Sequence, residues 1–185
     1  MRTFKSTFII AAILAGGAIA QAGAADVMVG GQSMLASKDI VDNAVNSADH
    51  TTLVAAVKAA GLVDTLKGKG PFTVFAPTNA AFNKLPAGTV ETLVKPESKA
   101  TLTSILTYHV VAGKHDFKAL SAAIKKAKGT AELATVNGGT LKFMMNGMHN
   151  IAVMDEKGQT ANISTYDVYQ SNGVINVVDS VLMPK

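Results

Sequence analysis

Few folds can accommodate the stretch Gly70-Pro71-Phe72-Thr73-Val74-Phe75-Ala76-Pro77-Thr78-Asn79-Ala80-Ala81-Phe82. Phe72, Val74 and Ala76 alternate with Thr73 and Phe75, so both faces of the segment are largely apolar, and the run predicts a strand covered on both sides. Pro77 removes a backbone donor and fixes φ, which ends the strand. Thr78 is placed to cap a helix, since its hydroxyl can accept from amides of the next turn and Ala80, Ala81 and Phe82 continue in helix-compatible residues. A central strand turning straight into a capped helix makes a core-forming corner.

The chain opens with Arg2 and Lys5, runs through the apolar Phe8-Ile9-Ile10-Ala11-Ala12-Ile13-Leu14-Ala15, and reaches Ala22-Gly23-Ala24. A basic start, a short apolar run and an A-x-A site predict a secretory signal peptide over residues 1–24, because the run is too short and too glycine-broken for a membrane span. The reading that follows is of a secreted, periplasmic or cell-surface protein that does not span the membrane after cleavage. Cysteine is absent, so stability in that oxidising compartment must come from packing. Removing Arg2 and Lys5 takes the formal net charge from +4 to +2, and Arg2 is the sole arginine. Without guanidinium forks for phosphates or base edges, nucleic acid is excluded as a partner.

Residues 25–37 keep no sustained period and contain Gly30-Gly31, which predicts an extended leader with Met28 and Met34 as its apolar points. From residue 38 to 185 the chain reads as one domain. Ile40, Val41, Ala44 and Val45, and then Leu53, Val54, Val57 and Ala60 before Gly61, repeat at helical spacing. After the central strand, Lys84-Leu85-Pro86-Ala87-Gly88 closes one helix and Val90, Leu93 and Val94 open another. A further helix places Leu102, Ile105, Leu106 and His109 on one face. Leu120, Ala123, Ile124 and Ala127 form the stripe of a last helix, closed by Gly129, with Lys118, Lys125, Lys126 and Lys128 on its solvated side. Beyond Gly129 the period changes to two, through Leu133, Val136, Leu141, Phe143, Ile151, Val153, Ala161, Ile163 and Thr165 to Val174–Leu182, with turn residues at Asn137-Gly138-Gly139, Asn146-Gly147 and Asp155–Gly158. Helices gathered in the first half must pack on an antiparallel meander in the second, which is an α+β domain.

Thr73–Phe82 closely resembles the first signature segment of the fasciclin domain. Gly173-Val174-Ile175-Asn176-Val177-Val178-Asp179-Ser180-Val181-Leu182-Met183-Pro184 is similar to its closing segment, and Thr107-Tyr108-His109-Val110-Val111 looks like its Tyr-His segment. The three stand in the family's order and spacing over residues 38–185. The resemblance implies a fasciclin-like β-wedge of two antiparallel sheets, flanked by several α-helices from the N-terminal half. It also implies a non-catalytic binding module for cell adhesion or attachment to surface and matrix components, whether proteins or glycans. In animal members the Tyr-His segment and a short Asp-Ile segment are implicated in adhesion. The matching positions here are Tyr108, His109, Val110 and Val111, and Asp167-Val168 in place of Asp-Ile.

The residues themselves argue against catalysis. No G-x-S-x-G elbow surrounds any serine, His109 sits on an apolar stripe without a neighbouring carboxylate, and P-loop, dinucleotide-binding and H-E-x-x-H patterns are missing. On that stripe His109 reads as a buried group holding a hydrogen bond. No cofactor is implied. The alternative is an envelope protein binding a small ligand or copper, because Met144-Met145-Asn146-Gly147-Met148-His149 sets soft thioethers beside an imidazole. Strand alternation accounts for the same residues, with one methionine filling the core and Asn146-Gly147 making a hairpin turn. Lacking arginine and, throughout, tryptophan, the domain is expected to be a monomer that binds weakly per copy and attaches through many copies.

Overall fold

The computed structural model describes residues 26–185, so the expected export signal over residues 1–24 lies outside the described part. In chain order the elements are β1 (Val27–Val29), β2 (Gln32–Met34), α1 (Ile40–Ala44), α2 (Thr51–Ala60), α3 (Val63–Lys67), β3 (Phe72–Pro77), α4 (Asn79–Asn83), α5 (Thr89–Leu93), α6 (Lys99–Tyr108), β4 (Val110–Ala112), α7 (Phe117–Lys126), β5 (Thr130–Ala134), β6 (Thr140–Met145), β7 (Ile151–Met154), β8 (Thr160–Gln170) and β9 (Gly173–Val178). Short 3-10 turns at Ala48–His50 and Pro96–Ser98 precede α2 and α6.

The predicted corner forms as the residues dictate. β3 is buried from Thr73 to Pro77, and Thr78 Oγ1 accepts from the Ala81 amide at 3.2 Å to cap α4. Gly61 ends α2 in the left-handed region at φ 73°. The stripe of α7 buries Leu120 and Ile124 as expected, but the helix stops at Lys126, and Lys128 turns the chain at φ 57° one residue before Gly129.

The main sheet has seven strands in the order β4-β3-β9-β8-β7-β6-β5. β8 creates the wedge: its first residues pair with β7 (Ala152 opposite Asn162), and from Ile163 to Gln170 it pairs with β9. One blade is therefore β4-β3-β9-β8 and the other β8-β7-β6-β5. A bridge between Val111 and Thr135 brings β4 to the turn after β5, which nearly closes the sheet. Every pair in the expected meander is antiparallel, whereas β3 runs parallel to β9, from Phe72 opposite Gly173 to Pro77 opposite Val178. The reason is the long excursion between them, which begins with helices and lets the chain re-enter beside β3 in the same direction.

The core divides across β3 and β9. Val74 and Ala76 face the helical layer with Leu53, Val57, Leu66, Leu102, Leu106, Val168 and Ile175. Phe75 faces into the wedge with Leu120, Ile124, Leu141, Phe143, Val153, Ile163 and Val178, its ring centroid 5.2 Å from that of Phe143. The expected leader is extended but not free. Residues 27–34 form a separate two-stranded hairpin that buries Val29 and Met34 in the helical-side core and leaves Met28 exposed.

Candidate functional site

Tyr108 ends α6 and is fully buried, against the expectation that its segment meets a partner directly. Its hydroxyl donates to the Thr140 carbonyl at 2.8 Å and accepts from the Glu156 amide at 3.0 Å, tying α6 to the far blade. Burial, with the Glu156 and Asp155 carboxylates behind it, pushes the phenol up to about 12. His109 follows at 2 % exposure. Nδ1 lies 2.8 Å from the Ile105 carbonyl and Nε2 is 3.0 Å from the Leu182 amide, which makes the ring neutral, with Nδ1–H donating and Nε2 accepting. Burial drives its pKa well below the ordinary histidine range, to about 4. Val110 and Val111 occupy β4, on opposite faces: Val110 joins the helical-side core and Val111 the wedge. Val168 is buried as well. Five of the six residues carried over from the family are thus core, while Asp167 is half-buried. Strands β3 and β9 lie between β4 and β8, so the two segments do not form one continuous surface.

Asp167 has φ 59° where β8 shifts register between Thr165 and Val168. Its amide donates to Asn176 Oδ1 at 3.2 Å, and its Oδ1 accepts from the Phe117 amide at 2.7 Å at the start of α7. Two tertiary hydrogen bonds hold a non-glycine residue in a conformation that is otherwise unfavourable. Burial raises the Asp167 pKa; the Phe117 amide opposes that rise, nearby Asp116 adds to it, and Lys114 works against it.

Around Asp167 the structure assembles residues that no sequence pattern singled out. Lys114 Nζ lies 4.3 Å above the Tyr169 ring, and the Tyr169 hydroxyl reaches Asp116 Oδ2 at 3.4 Å. Asp116 Oδ1 caps α7 through the Ala119 amide at 2.9 Å. Phe117 and Tyr166 meet edge to face at 5.1 Å. The loop from β4 to α7 is held in turn from β3 and β9: Thr73 Oγ1 donates to the Gly113 carbonyl at 2.7 Å and accepts from the His115 amide at 2.8 Å, and Asn176 Nδ2 donates to the His115 carbonyl at 3.2 Å. Lys114 also borders an open cleft of about 620 Å³ at the start of β3 and β9, lined by Asp39, Lys67, Lys69, Ser171 and Asn172. Lys67 is fixed there by ion pairs to Asp39, at 3.0 Å, and to Asp42. Lys114 is thus shared between this cleft, whose other charged lining residues are Asp39, Lys67 and Lys69, and the cluster with Tyr169, Asp116 and Asp167.

The segment Met144–His149 runs from the end of β6 into the turn before β7. Met145 packs on the wedge core, while Met148 is 86 % exposed and His149 is exposed. No residue of this segment lines the cleft, and neither His50 nor His115 converges with it there. The nitrogens of His109 and the Nε2 of His115, 3.1 Å from the Ala112 carbonyl, face backbone groups and not a serine or threonine hydroxyl. Among the described residues no helix is long and apolar enough to cross a membrane.

Comparison with known proteins agrees with this architecture. The family model for the fasciclin domain matches residues 48–184. Protein sll1483 of Synechocystis sp. is 48 % identical over 147 residues, covering 78 % of this chain and 73 % of that protein. Immunogenic protein MPB70 of Mycobacterium bovis is 40 % identical over 146 residues, 76 % of this chain and 66 % of its own length. Cell surface glycolipoprotein MPB83 of the same species is 37 % identical over 155 residues, 81 % of this chain and 62 % of that protein. Among solved structures, the FAS1 domain pair of the insect cell adhesion molecule fasciclin I matches with a TM-score of 0.58 at 23 % identity, over 71 % of this chain and 43 % of the pair. With the capped central strand, the wedge that turns at β8 and the family match over most of the described residues, this chain belongs to the fasciclin domain family.

Proposed function

We propose that the chain is an exported, non-catalytic binding module that attaches to cell-surface or matrix components through the face where Lys114, Asp116, Asp167 and Tyr169 meet. One observation carries the reading: Lys114 held over Tyr169 beside the open cleft, with Asp167 fixed at positive φ next to it. Tyr108, His109, Val110, Val111 and Val168 serve that face from inside the core, by fixing β4 and β8, on either side of the β3–β9 pair. The cell-surface location of MPB83 and the adhesive role of fasciclin I support the same reading. Contact through one cation, one ring and one or two carboxylates is weak for a single domain, and attachment gains strength from many copies on a surface.

Beads carrying the domain test this against envelope glycans and proteins. Lys114→Ala with Tyr169→Ala, in a variant of unchanged Tm, is expected to lower attachment several-fold. Attachment that ignores this pair of changes but vanishes with added salt and with Lys125→Glu plus Lys126→Glu moves the contact to the lysine face of α7, because exposed charge contacts are screened within about 10 Å at 0.1 M salt.

A further inference from the structure

The helical side of the central strands does not close completely. A cavity of about 70 Å³ lies between β3, β9 and the helices, with Val57, Leu66, Val74, Leu106 and Ile175 in its wall. His50 also lines it and is 3 % exposed. Its Nδ1 is held 2.8 Å from Ser47 Oγ, itself buried. Its Nε2 is the one buried side-chain nitrogen or oxygen among the described residues that has no hydrogen-bond partner. The Ala76 carbonyl is close enough to favour a proton on the ring, but the pair falls short of hydrogen-bond geometry. Buried polar atoms in folded proteins are nearly always partnered, so an orphan on a residue that lines an apolar space calls for an occupant that supplies the missing bond.

We propose that this cavity is a binding site for a small uncharged amphiphile, whose apolar end fills the aliphatic space and whose single hydrogen-bonding group meets His50 Nε2. Water alone fits poorly, since an ordered buried water needs two to four polar partners, and of the wall's other polar groups Ser47 Oγ is held by His50 Nδ1, Thr107 Oγ1 donates to the Thr103 carbonyl, both His109 nitrogens are engaged, and Thr65 and Lys58 are exposed. A charged group is excluded by the apolar wall, the one charged lining residue, Lys58, being exposed. Size sets the scale. An apolar cavity of roughly 150 Å³ takes benzene, so this one takes a buried end of about three or four heavy atoms, the size of a short secondary alcohol or ketone.

The hairpin β1–β2 forms the cover. Val29 and Met34 belong to the wall, and the hairpin turn sits directly on the Ser47–Asp49 segment. At Gly30, with φ +59°, a Cβ would stand 2.5 Å from Ser47 Oγ and 2.8 Å from the amide nitrogens of Ala48 and Asp49. Only glycine lets the turn seat there. These residues precede the span 48–184 matched by the family model.

The test is histidine-selective nitrogen NMR, with methyl spectra, on the purified chain titrated with propan-2-ol, and with xenon as an apolar probe lacking a hydrogen-bonding group. Both probes are expected to shift the methyls of Val57, Leu66 and Ile175. The alcohol alone is expected to shift His50 Nε2, saturably, with a Kd on the order of millimolar, which is what so few atoms can supply. His109, with both nitrogens engaged, serves as the internal control. His50→Phe, in protein whose methyl spectrum stays native, is expected to abolish the alcohol-induced shift of the lining methyls, and Gly30→Ala, by unseating the cover, to speed exchange several-fold. The proposal is overturned if neither probe moves the lining methyls, if xenon enters but the alcohol leaves His50 unmoved, or if the alcohol response survives His50→Phe. Bead attachment is read separately, so loss of one result leaves the other standing.

Discussion

The two faces of the β3–β9 pair share a backbone and differ in how completely they are filled. On the wedge side Phe75 stacks near Phe143, and Tyr108 finds a donor and an acceptor for its hydroxyl. On the helical side the wall stops short, leaving a cavity beside an imidazole nitrogen without a partner. Sheet-to-sheet contact in the wedge is fixed by strand register, whereas α1 and α3 are only five residues each, too short to lay a continuous ridge along the sheet. Truncation separates the two sides by the largest margin. Phe75→Ala is expected to cost about 3–5 kcal/mol, because its tight surroundings cannot collapse onto the space. Leu66→Ala, beside an existing void, is expected near the lower end of such losses, about 2 kcal/mol. Denaturant unfolding of both variants measures the difference, and equal losses would mean that the two sides are equally well packed.

The buried histidines sharpen the same contrast at smaller energies. His109→Ala leaves the Leu182 amide and the Ile105 carbonyl unpaired and is expected to cost about 1–3 kcal/mol. His50→Phe removes an unpartnered nitrogen and fills space but leaves the buried Ser47 Oγ without its imidazole partner, so its loss is expected to be smaller than that of His109→Ala. Both imidazoles have folded pKa values depressed by burial, His109 to about 4 from 6.5 and His50 in the same direction. Between the folded and unfolded values the unfolded chain binds more protons, so stability is greatest above pH 6.5 and falls as the pH drops towards about 4. For His109 alone the full loss approaches about 3 kcal/mol. Unfolding followed from pH 7 to pH 4 in the chain and in His109→Ala checks this, with the variant expected to lose much of the acid sensitivity.

What could be read from the sequence follows the same division. Thr78 as a cap, Gly61 as a helix end, the doubly covered strand and the stripe of α7 are local patterns, and local sterics are enough to enforce them. β8 was legible only as far as Thr165, because its register shifts break the period of two just where Asp167 turns to positive φ. β4 is three residues long and carries no period of its own. The leader's hairpin depends on burial of Val29 and Met34 against elements far along the chain, which no local pattern reveals. The family motif marked Tyr108–Val111 and Asp167-Val168 as important, but five of these six side chains point inward. Asp116 and Tyr169 are 53 positions apart and Lys114 lies farther still from Tyr169, and only the fold brings them together.

Asp167 joins the two faces, since Val168 beside it is helical-side core while Asp167 holds the Phe117 amide at the start of α7. Asp167→Asn keeps an oxygen for that amide, and asparagine tolerates the left-handed conformation nearly as well, so the geometry survives. What disappears is the charge. Because burial raises the carboxyl's folded pKa, the ionised group destabilises the folded state at neutral pH, and replacing it is expected to raise stability slightly, within about 0.5 kcal/mol. This is the smallest stability effect considered, and for that reason the cleanest probe of the surface. If the carboxylate faces a partner, attachment of bead-bound domain falls while Tm stays level. If attachment holds in Asp167→Asn yet falls in Tyr169→Ala, the ring and Lys114 carry the contact, and Asp167 serves to set the turn that presents them.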